Sequence, residues 1–235
     1  MAELNNWGAN LEGTEIADTI IYNGTRYVRS ELSKIDHLVY DMETMGYAVI
    51  SGTGASAGTQ VQVNFLSVLQ LVTGTTTTGY AGRTVAKISI PDAAKLILDI
   101  NIRTDFSSLS DATNEYEYYY GVWLGTFNVP TDGFYIKYQR TSNVNWLCST
   151  ISSSTETATD SGIAVTTNTF FNFKIIYDST TPDVKFYIDN ALVATNTTNM
   201  PTGSGFFTRV MSKKTAGTTS RTCLVTGMRQ TIIRD

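Results

Sequence analysis

The stretch "VKFYIDNALVATNT", Val184 to Thr197, decides the fold class. Two apolar runs, "VKFYI" and "ALVAT", meet at Asp189-Asn190. In the first run Val184, Phe186 and Ile188 alternate with polar or amphipathic residues, which is the period of a half-buried β-strand. Asp and Asn accept the backbone angles of a tight turn. We therefore predict a two-stranded hairpin that presents one face to a core.

The same period of two recurs along the chain. In "FNFKIIYD", the residues Phe171, Phe173, Ile175 and Tyr177 share one face. No helix of more than about two turns is indicated. Short strands separated by turn signals predict an antiparallel β-sandwich or barrel. The candidate strands from residue 38 onward are "YAVISG", "TQVQVNFLSVLQLVTG", "RTVAKISI", "AKLILDINIR", "EYEYYYGVWLG", "GFYIKYQR", "NWLCSTI", "TFFNFKIIYDS", "VKFYID", "ALVATN", "GFFTRVMSKK" and "RTCLVTGMRQTII".

Length and composition fit one large all-β domain with a small appendage. The 235 residues are 42% hydrophobic, with 13 Tyr and 10 Phe, which is enough for a sizeable core. Charged residues make up only 16%, where about a quarter is usual. Thr, Ser and Asn supply the remaining polarity, and such a surface favours strands and turns over charged helices.

The charge balance excludes two classes of partner. The formal net charge is −4, whereas nucleic acid or an anionic membrane would require a basic patch. No apolar run approaches the roughly 20 residues that span a bilayer. The N-terminus "MAELNNWGANLEG" is polar and acidic, so we expect no secretion signal and synthesis in a cytoplasm.

Residues 1–36 differ from the rest of the chain, and residues 37–235 form the predicted main domain. The run "TIIY" is followed by Asn23-Gly24 and "TRYVRS", a strong hairpin signal. The segment is too small for its own core, so we interpret it as an anchoring or oligomerisation arm. The alternative is an ordinary first hairpin of the main domain. The predicted anchoring contacts are Trp7, Ile20, Ile21 and Tyr22.

The region from about Ala94 to Ile233 resembles a known family in the order of its strands. The most similar part is "DSGIAVTTNTFFNFKIIYDSTTPDVKFYIDNALVATNTTNMPTGSGF". It resembles the concanavalin A-like lectin/glucanase (LamG-like) jelly roll, in the version found in tailed-phage virion proteins. Asn190 stands where that family usually has Gly, and Asn tolerates the same left-handed backbone.

The resemblance implies an all-β, antiparallel jelly-roll β-sandwich. It also implies a non-enzymatic virion structural protein, such as a capsid decoration, head-fibre or tail-fibre subunit on the capsid or tail surface. Its implied partners are the major capsid protein or other virion proteins, and sister copies in a homo-oligomer, with a trimer favoured. The alternative is a module that binds host surface glycans, and a glycoside hydrolase is the third reading, because this fold hosts all three.

Glu115 and Glu117 in "NEYEYYYG" are the catalytic candidates. Their i, i+2 spacing would put both carboxylates on one strand face, as a retaining glycosidase requires. Tyr118 to Tyr120 replace the further acidic residues that the glucanase pattern has in this strand. We therefore predict no catalytic residue, and expect a solvated strand face with Tyr116 and Tyr118 turned inward.

No cofactor and no metal are predicted. Asp105, Asp111 and Asn114 offer oxygens to a calcium ion, but their spacing does not define a site. His37 has no nucleophile motif to work with and is interpreted as a hydrogen-bonded junction residue.

Two pairs of residues allow two interpretations each. Cys148 and Cys223 lie in strand-like runs, either as separate buried thiols or as a disulfide across the sandwich. Trp123 and Trp146 either stack on a sugar ring or belong to the core, as aromatic residues at alternating strand positions usually do.

Overall fold

The computed structural model describes residues 19–22, 25–28, 35–40, 47–63, 66–88, 95–104, 109–139, 144–202 and 205–233. These residues form two large antiparallel sheets and one small one. The seven-stranded sheet has the order β12 (Thr155–Ala164), β11 (Asn145–Ser152), β10 (Val129–Gln139), β9 (Tyr116–Thr126), β16 (Phe206–Lys214), β7 (Tyr80–Ile88) and β4 (Tyr47–Ser51).

The second large sheet has the order β15 (Ala191–Asn196), β14 (Asp183–Ile188), β13 (Thr169–Asp178), β8 (Lys95–Thr104), β17 (Thr222–Ile233), β6 (Leu66–Thr73) and β5 (Ala55–Val63), with β3 (Ile35–Tyr40) also paired to β17. The small sheet consists of β1 (Thr19–Tyr22) and β2 (Thr25–Val28). The predicted antiparallel jelly-roll β-sandwich is confirmed, and no helix in the described ranges is long and apolar enough to cross a membrane.

The core lies between the two large sheets because their facing strands alternate as the sequence predicts. Phe171, Phe173, Ile175 and Tyr177 of β13 are buried, while the residues between them are half-buried. The centre of the core is Trp146 on β11, which has no exposed surface. Its ring makes edge contacts with the rings of Phe171, Phe173, Tyr118 and Tyr138.

The hairpin at Asp189-Asn190 is confirmed, since β14 and β15 pair across it. Both turn residues have positive φ, 51° and 66°, which a two-residue turn needs to match the twist of its strands. The Asp189 carboxylate also accepts a hydrogen bond from the Asn172 amide at 2.8 Å, and the Asp189 amide donates to the Asn172 carbonyl oxygen. The acidic turn therefore fastens the end of this hairpin to β13.

One predicted strand is two strands in the structure, and one strand was not predicted. The run "TQVQVNFLSVLQLVTG" contains the end of β5 and all of β6, which pair antiparallel, and not one long strand. The strand β12 was not predicted at all, because most of its residues are exposed at the sheet edge and its sequence lacks a buried apolar face.

One side of the sandwich is closed by a hydroxyl and amide seam between β12 and the end of β15. The Thr159 hydroxyl donates to Asn196 Oδ1 at 2.8 Å. Asn196 Nδ2 donates to the Cys148 carbonyl oxygen at 3.1 Å, and Asn199 Nδ2 donates to the Thr157 hydroxyl at 2.8 Å. Asn196 is buried, so these bonds satisfy its polar atoms inside the protein.

Candidate functional site

The candidate site is the outer face of the seven-stranded sheet, the face that points away from the second sheet. In β9, Tyr118 and Tyr120 point into the core, and Glu117, Tyr119 and Trp123 lie on the outer face. Tyr116 and Tyr118 are turned into the core as predicted, but the outer face is not solvated as expected. Glu117 is only 6% exposed and Trp123 is fully buried. A strand buried on both faces is unusual at the outside of a sandwich and calls for a structural reason.

Glu117 is neutralised by a lysine from the neighbouring strand. Lys213 of β16 pairs with Glu117 in the strand register, and its Nζ lies 2.8 Å from Glu117 Oε2. The Tyr119 hydroxyl donates a hydrogen bond of 2.8 Å to the same oxygen. Lys213 Nζ also lies 5.2 Å from the centre of the Tyr119 ring, within the range of a cation–π contact.

Glu156 repeats the arrangement on the other side of the face. Lys137 Nζ lies 2.8 Å from the Glu156 carboxylate, and the Tyr135 hydroxyl donates to Glu156 Oε1 at 3.1 Å. Lys137 and Tyr135 belong to β10 and Glu156 to β12, so the contacts cross β11. The rings of Tyr119 and Tyr135, with centroids 5.3 Å apart, join the two arrangements.

These contacts set the charge states of the face. Burial favours the neutral form of Glu156, but the hydrogen bond and positive charge of Lys137 outweigh it and hold the pKa of Glu156 below its ordinary value. Burial, together with the negative charges of Glu117 and Glu156, raises the pKa of Tyr119 and of Tyr135 well above the ordinary value. Both tyrosines are therefore neutral donors.

We expect Glu156 to make folding depend on pH in acid. A carboxylate with a depressed pKa in the folded state contributes stability above its unfolded pKa, near 4.5, and loses it as the pH falls through the folded pKa. The urea midpoint of the wild type is therefore expected to fall more steeply than that of Glu156→Gln between about pH 5 and about pH 3.

The matched control for this prediction is Glu115→Gln, which removes a carboxylate outside these contacts. It is expected to keep the acid dependence of the wild type. If the urea midpoint fell equally steeply with pH in the wild type and in Glu156→Gln, the acid dependence could not be assigned to Glu156.

The tip of the β9–β10 hairpin folds over the outer face. Arg209 Nη1 donates to the carbonyl oxygens of Gly125 and Thr126 at 3.4 Å, and Lys213 Nζ donates to the Asn128 carbonyl oxygen at 3.1 Å. Trp123 Nε1 donates to the Phe127 carbonyl oxygen at 3.2 Å. The tip thus crosses from β9 over β16 and buries Trp123 beneath it.

A glycine on β7 makes room for this tip. A Cβ at Gly82 would clash with the Phe127 ring, which also lies 5.9 Å from the Tyr80 ring. The register between β9 and β10 shifts between Pro130 and Asp132, and this bulge bends the hairpin toward the sheet.

The predicted pair of Glu115 and Glu117 is not formed as a strand pair. Glu115 precedes β9, and its backbone is bonded to Thr215 and Ala216. The second carboxylate on the face of Glu117 is Glu156, which sequence reasoning missed because it lies on the unpredicted strand β12.

The predicted sugar-stacking residues need correction. Trp123 and Trp146 are both fully buried, the first under the hairpin tip and the second in the central core, so neither ring offers a face to a sugar. The core interpretation is the one that their burial supports.

Two of the three residues considered as calcium donors, Asp111 and Asn114, accept backbone hydrogen bonds through their side chains. Asp111 Oδ1 accepts the amides of Thr113 and Asn114, and Asn114 Oδ1 accepts the amide of Thr219. Asp105 lies outside the described residues. Within the described ranges no group of three or more His, Cys, Asp and Glu residues is placed to hold a metal ion.

Other sequence predictions concern residues that the structure describes in part. Cys148 and Cys223 are buried and form no disulfide, and burial raises the pKa of Cys148 to about 12, so this thiol stays protonated at neutral pH. His37 lies in β3 opposite Thr231 of β17. Trp7 lies outside the described residues. The strands β1 and β2 pair as the predicted hairpin requires, with Ile20, Ile21 and Tyr22 in β1, while Asn23 and Gly24 lie outside the described residues and the anchoring contacts stay a prediction.

A model of one protein family matches residues 64–225, and its description is SO2946-like, C-terminal domain. The chain belongs to this family. The crystal structure of SO2946 from Shewanella oneidensis MR-1, a protein of unknown function, is similar with a TM-score of 0.65 at 15% identity, covering 100% of this chain and 95% of that one. No curated protein matches the sequence.

Other structures similar to this SO2946-like domain are carbohydrate-related. A Bacillus licheniformis β-glucanase matches with a TM-score of 0.55 at 13% identity, covering 83% of this chain and 97% of that chain. The Emp47p carbohydrate recognition domain matches with a TM-score of 0.54 at 11% identity, covering 86% and 98%. At these identities the likeness concerns the fold, which is the concanavalin A-like roll that the sequence resembles.

Proposed function

We propose that this SO2946-like protein is a non-enzymatic structural protein of a tailed-phage virion, attached through its N-terminal segment and displaying the sandwich outward. The proposal that the protein is not an enzyme rests on the contacts of the carboxylates on the outer face of the seven-stranded sheet. The carboxylates of Glu117 and Glu156 are each held by a lysine and a tyrosine hydroxyl, and the hairpin tip lies over the same face.

Glycoside hydrolysis needs the opposite arrangement. One carboxyl group must stay protonated to act as the acid, and the other must be free to attack or to activate water. Lys137 holds the pKa of Glu156 below its ordinary value, so Glu156 cannot serve as the acid at neutral pH. Lys213 and the Tyr119 hydroxyl both bind Oε2 of Glu117, and a carboxylate held by a cation is a weakened nucleophile and base. Release of reducing sugar from β-glucan that stops in Glu117→Gln would overturn this part.

The attachment through the N-terminal segment rests on the hairpin of β1 and β2. In the described chain these strands pair only with each other. A lone two-stranded hairpin is at best marginally stable in water, so it gains stability by packing on a partner. Its strands read "TIIY" and "TRYV", an apolar composition that suits a protein surface. Many copies on one particle would add up weak contacts into firm attachment.

The test is co-sedimentation with purified, undecorated phage capsids. We expect the full-length protein to sediment and a variant that lacks residues 1–28 to stay in solution, with at least about a tenfold loss of bound protein. This deletion removes β1 and β2 but keeps β3, which belongs to the large sheet. The same pair, compared by sedimentation equilibrium, tests whether the segment also holds a trimer together.

Two point variants of the full chain sharpen the test. The two variants are Ile20→Ser and Ile21→Ser, at consecutive positions of β1. Because successive residues of a strand belong to opposite faces, the variant on the face that packs on the partner is expected to weaken binding. The control is Leu192→Ser, which changes an exposed apolar residue of the sandwich and is expected to bind normally. Sedimentation of the deletion variant would refute the arm as the anchor, and failure of all proteins to bind would refute the capsid location.

Glycan binding is the second candidate, favoured by the aromatic set on the outer face. Tyr119, Tyr135 and Trp123 form one contacting group, the kind of surface that stacks on sugars. All three are buried, however, so the hairpin tip would first have to leave the face. Binding to a glycan array that increases in Phe127→Ala would move this function ahead of a purely structural one.

A further inference from the structure

Four strand ends meet at one end of the sandwich, between the two sheets. Thr73 ends β6 and Lys214 ends β16, while Tyr116 begins β9 and Arg221 directly precedes β17. Thr73 and Arg221 are bonded to each other, because the Arg221 amide donates to the Thr73 hydroxyl at 3.0 Å and the Thr73 amide donates to the Arg221 carbonyl oxygen at 2.9 Å. The end is therefore a rigid, hydrogen-bonded part of the fold.

Two cationic side chains are buried there. Lys214 and Arg221 are each only 3% exposed. Lys214 lies opposite Tyr116 in the strand register, and the Arg221 guanidinium lies 5.7 Å from the centre of the Tyr116 ring. Lys214 Nζ donates to the Gly74 carbonyl oxygen at 2.7 Å. Burial lowers the pKa of Lys214, and the charge of Arg221 lowers it further, as expected for neighbouring cations.

The negative charge at this end is insufficient. Asp111 is the one described carboxylate paired with either cation, and its Oδ2 lies 3.6 Å from Arg221 Nη2, beyond hydrogen-bond distance. The Asp111 side chain is also half exposed. Buried charges are costly unless they are paired, so two cations with one distant carboxylate leave an unmet requirement for an anion.

The unused hydrogen-bonding groups are donors. Arg221 Nε and Ser220 Oγ are buried and have no hydrogen-bond partner in the described chain. Lysine and arginine can only donate, and the serine hydroxyl can donate. An anion accepts from all of these donors and also offsets the two positive charges, which a neutral water molecule does not do.

We propose that Lys214, Arg221 and Ser220 form a binding site for a small inorganic anion of about the size of chloride. The size follows from the burial of the two cations, each 3% exposed, and of Arg221 Nε and Ser220 Oγ. The anion neutralises the charge at the point where both sheets end and thereby ties β16 to β17. It is a structural ligand and takes no part in a reaction.

The test is the thermal midpoint of the full-length protein in sodium chloride, with sodium gluconate added to keep the ionic strength constant. A ligand that binds only the folded state raises the midpoint with its concentration. At a hundredfold excess over Kd the rise is expected to be roughly 5–10 °C, and gluconate alone is expected to cause none. A rise that follows ionic strength and not chloride would overturn the proposal.

Matched variants locate the effect. Lys214→Met is expected to abolish the dependence on chloride, and Ser220→Ala, which leaves both charges in place, to raise Kd about tenfold. The control is Lys137→Met, which removes a buried lysine already paired with Glu156 and is expected to keep the full chloride response. If Lys214→Met does not fold, Ser220→Ala decides the outcome alone, and an unchanged Kd in that variant would refute the site.

A direct measurement is the anomalous signal of bromide in a crystal of the full-length protein. We expect a peak between Lys214 and Arg221. Bromide bound only at the surface would count against the proposal.

Discussion

Replacing Trp146 with alanine is expected to lower the free energy of unfolding by about 3–5 kcal/mol, the usual range for a buried aromatic residue. The indole has no exposed surface, and its ring centroid lies 4.8 Å from that of Phe173 and 5.6 Å from that of Phe171. Because these two rings belong to β13, the change would leave a cavity between the two sheets. The tyrosines on the other side, Tyr118 and Tyr138, would also lose an edge contact.

Urea unfolding followed by circular dichroism measures this loss. Trp146→Phe keeps an aromatic ring in the same place and is expected to lose less than Trp146→Ala. Leu192→Ala, at an exposed position of β15, is expected to stay within about 0.5 kcal/mol of the wild type. A loss below about 1 kcal/mol in Trp146→Ala would mean that this ring is not the centre of the core.

Replacing Gly133 with alanine is expected to cost about 3 kcal/mol. Gly133 has a φ of 146°, which residues with a side chain rarely adopt, and its Cβ would overlap the Val122 carbonyl oxygen. It would also lie 2.7 Å from the Trp123 Cα, so the clash is with backbone that cannot move without opening the β9–β10 pair. The hairpin that covers the outer face depends on this pair.

The control is another glycine-to-alanine change in a strand. A Cβ at Gly58 of β5 would meet only Arg83 Nη2, the far end of a flexible side chain, at 3.2 Å. Gly58→Ala is therefore expected to be neutral or to stabilise the fold by up to about 1 kcal/mol, the cost of glycine inside a strand. Similar midpoints for Gly133→Ala and Gly58→Ala in urea would contradict the proposed close approach of β9 and β10.

The sequence predicted most of the sandwich because many of its strands have one buried face. The alternation in β13 and β14 reflects burial directly, and the turn at Asp189-Asn190 follows from two residues that tolerate positive φ. The strand β12 lacks such a pattern. Its sequence is "TETATDSGIA", and it lies at a sheet edge. It is a strand because its backbone pairs with β11, and its sequence shows no alternation of buried hydrophobic residues.

The candidate site was predicted less well for the same reason. Glu117 was among the carboxylates considered, but Glu156, which is also bound by a lysine and a tyrosine, is 39 residues further along and lies on the strand that was not predicted. The burial of Trp123 depends on a bulge, on a glycine in β7 and on long-range bonds from Arg209. None of these produces a local pattern, so the choice between core and sugar platform needed the three-dimensional structure.

The hydroxyl and amide seam between β12 and β15 is expected to respond to acid and salt differently from the outer face of the seven-stranded sheet. Asn196, Asn199 and the threonines that bind them are neutral, so neither acid nor added salt changes their charge. The Lys137–Glu156 pair of the outer face, in contrast, weakens when the Glu156 carboxylate is protonated. Acidification is therefore expected to loosen the outer face first, while the seam keeps the edge of the sandwich closed in acid and at different salt concentrations.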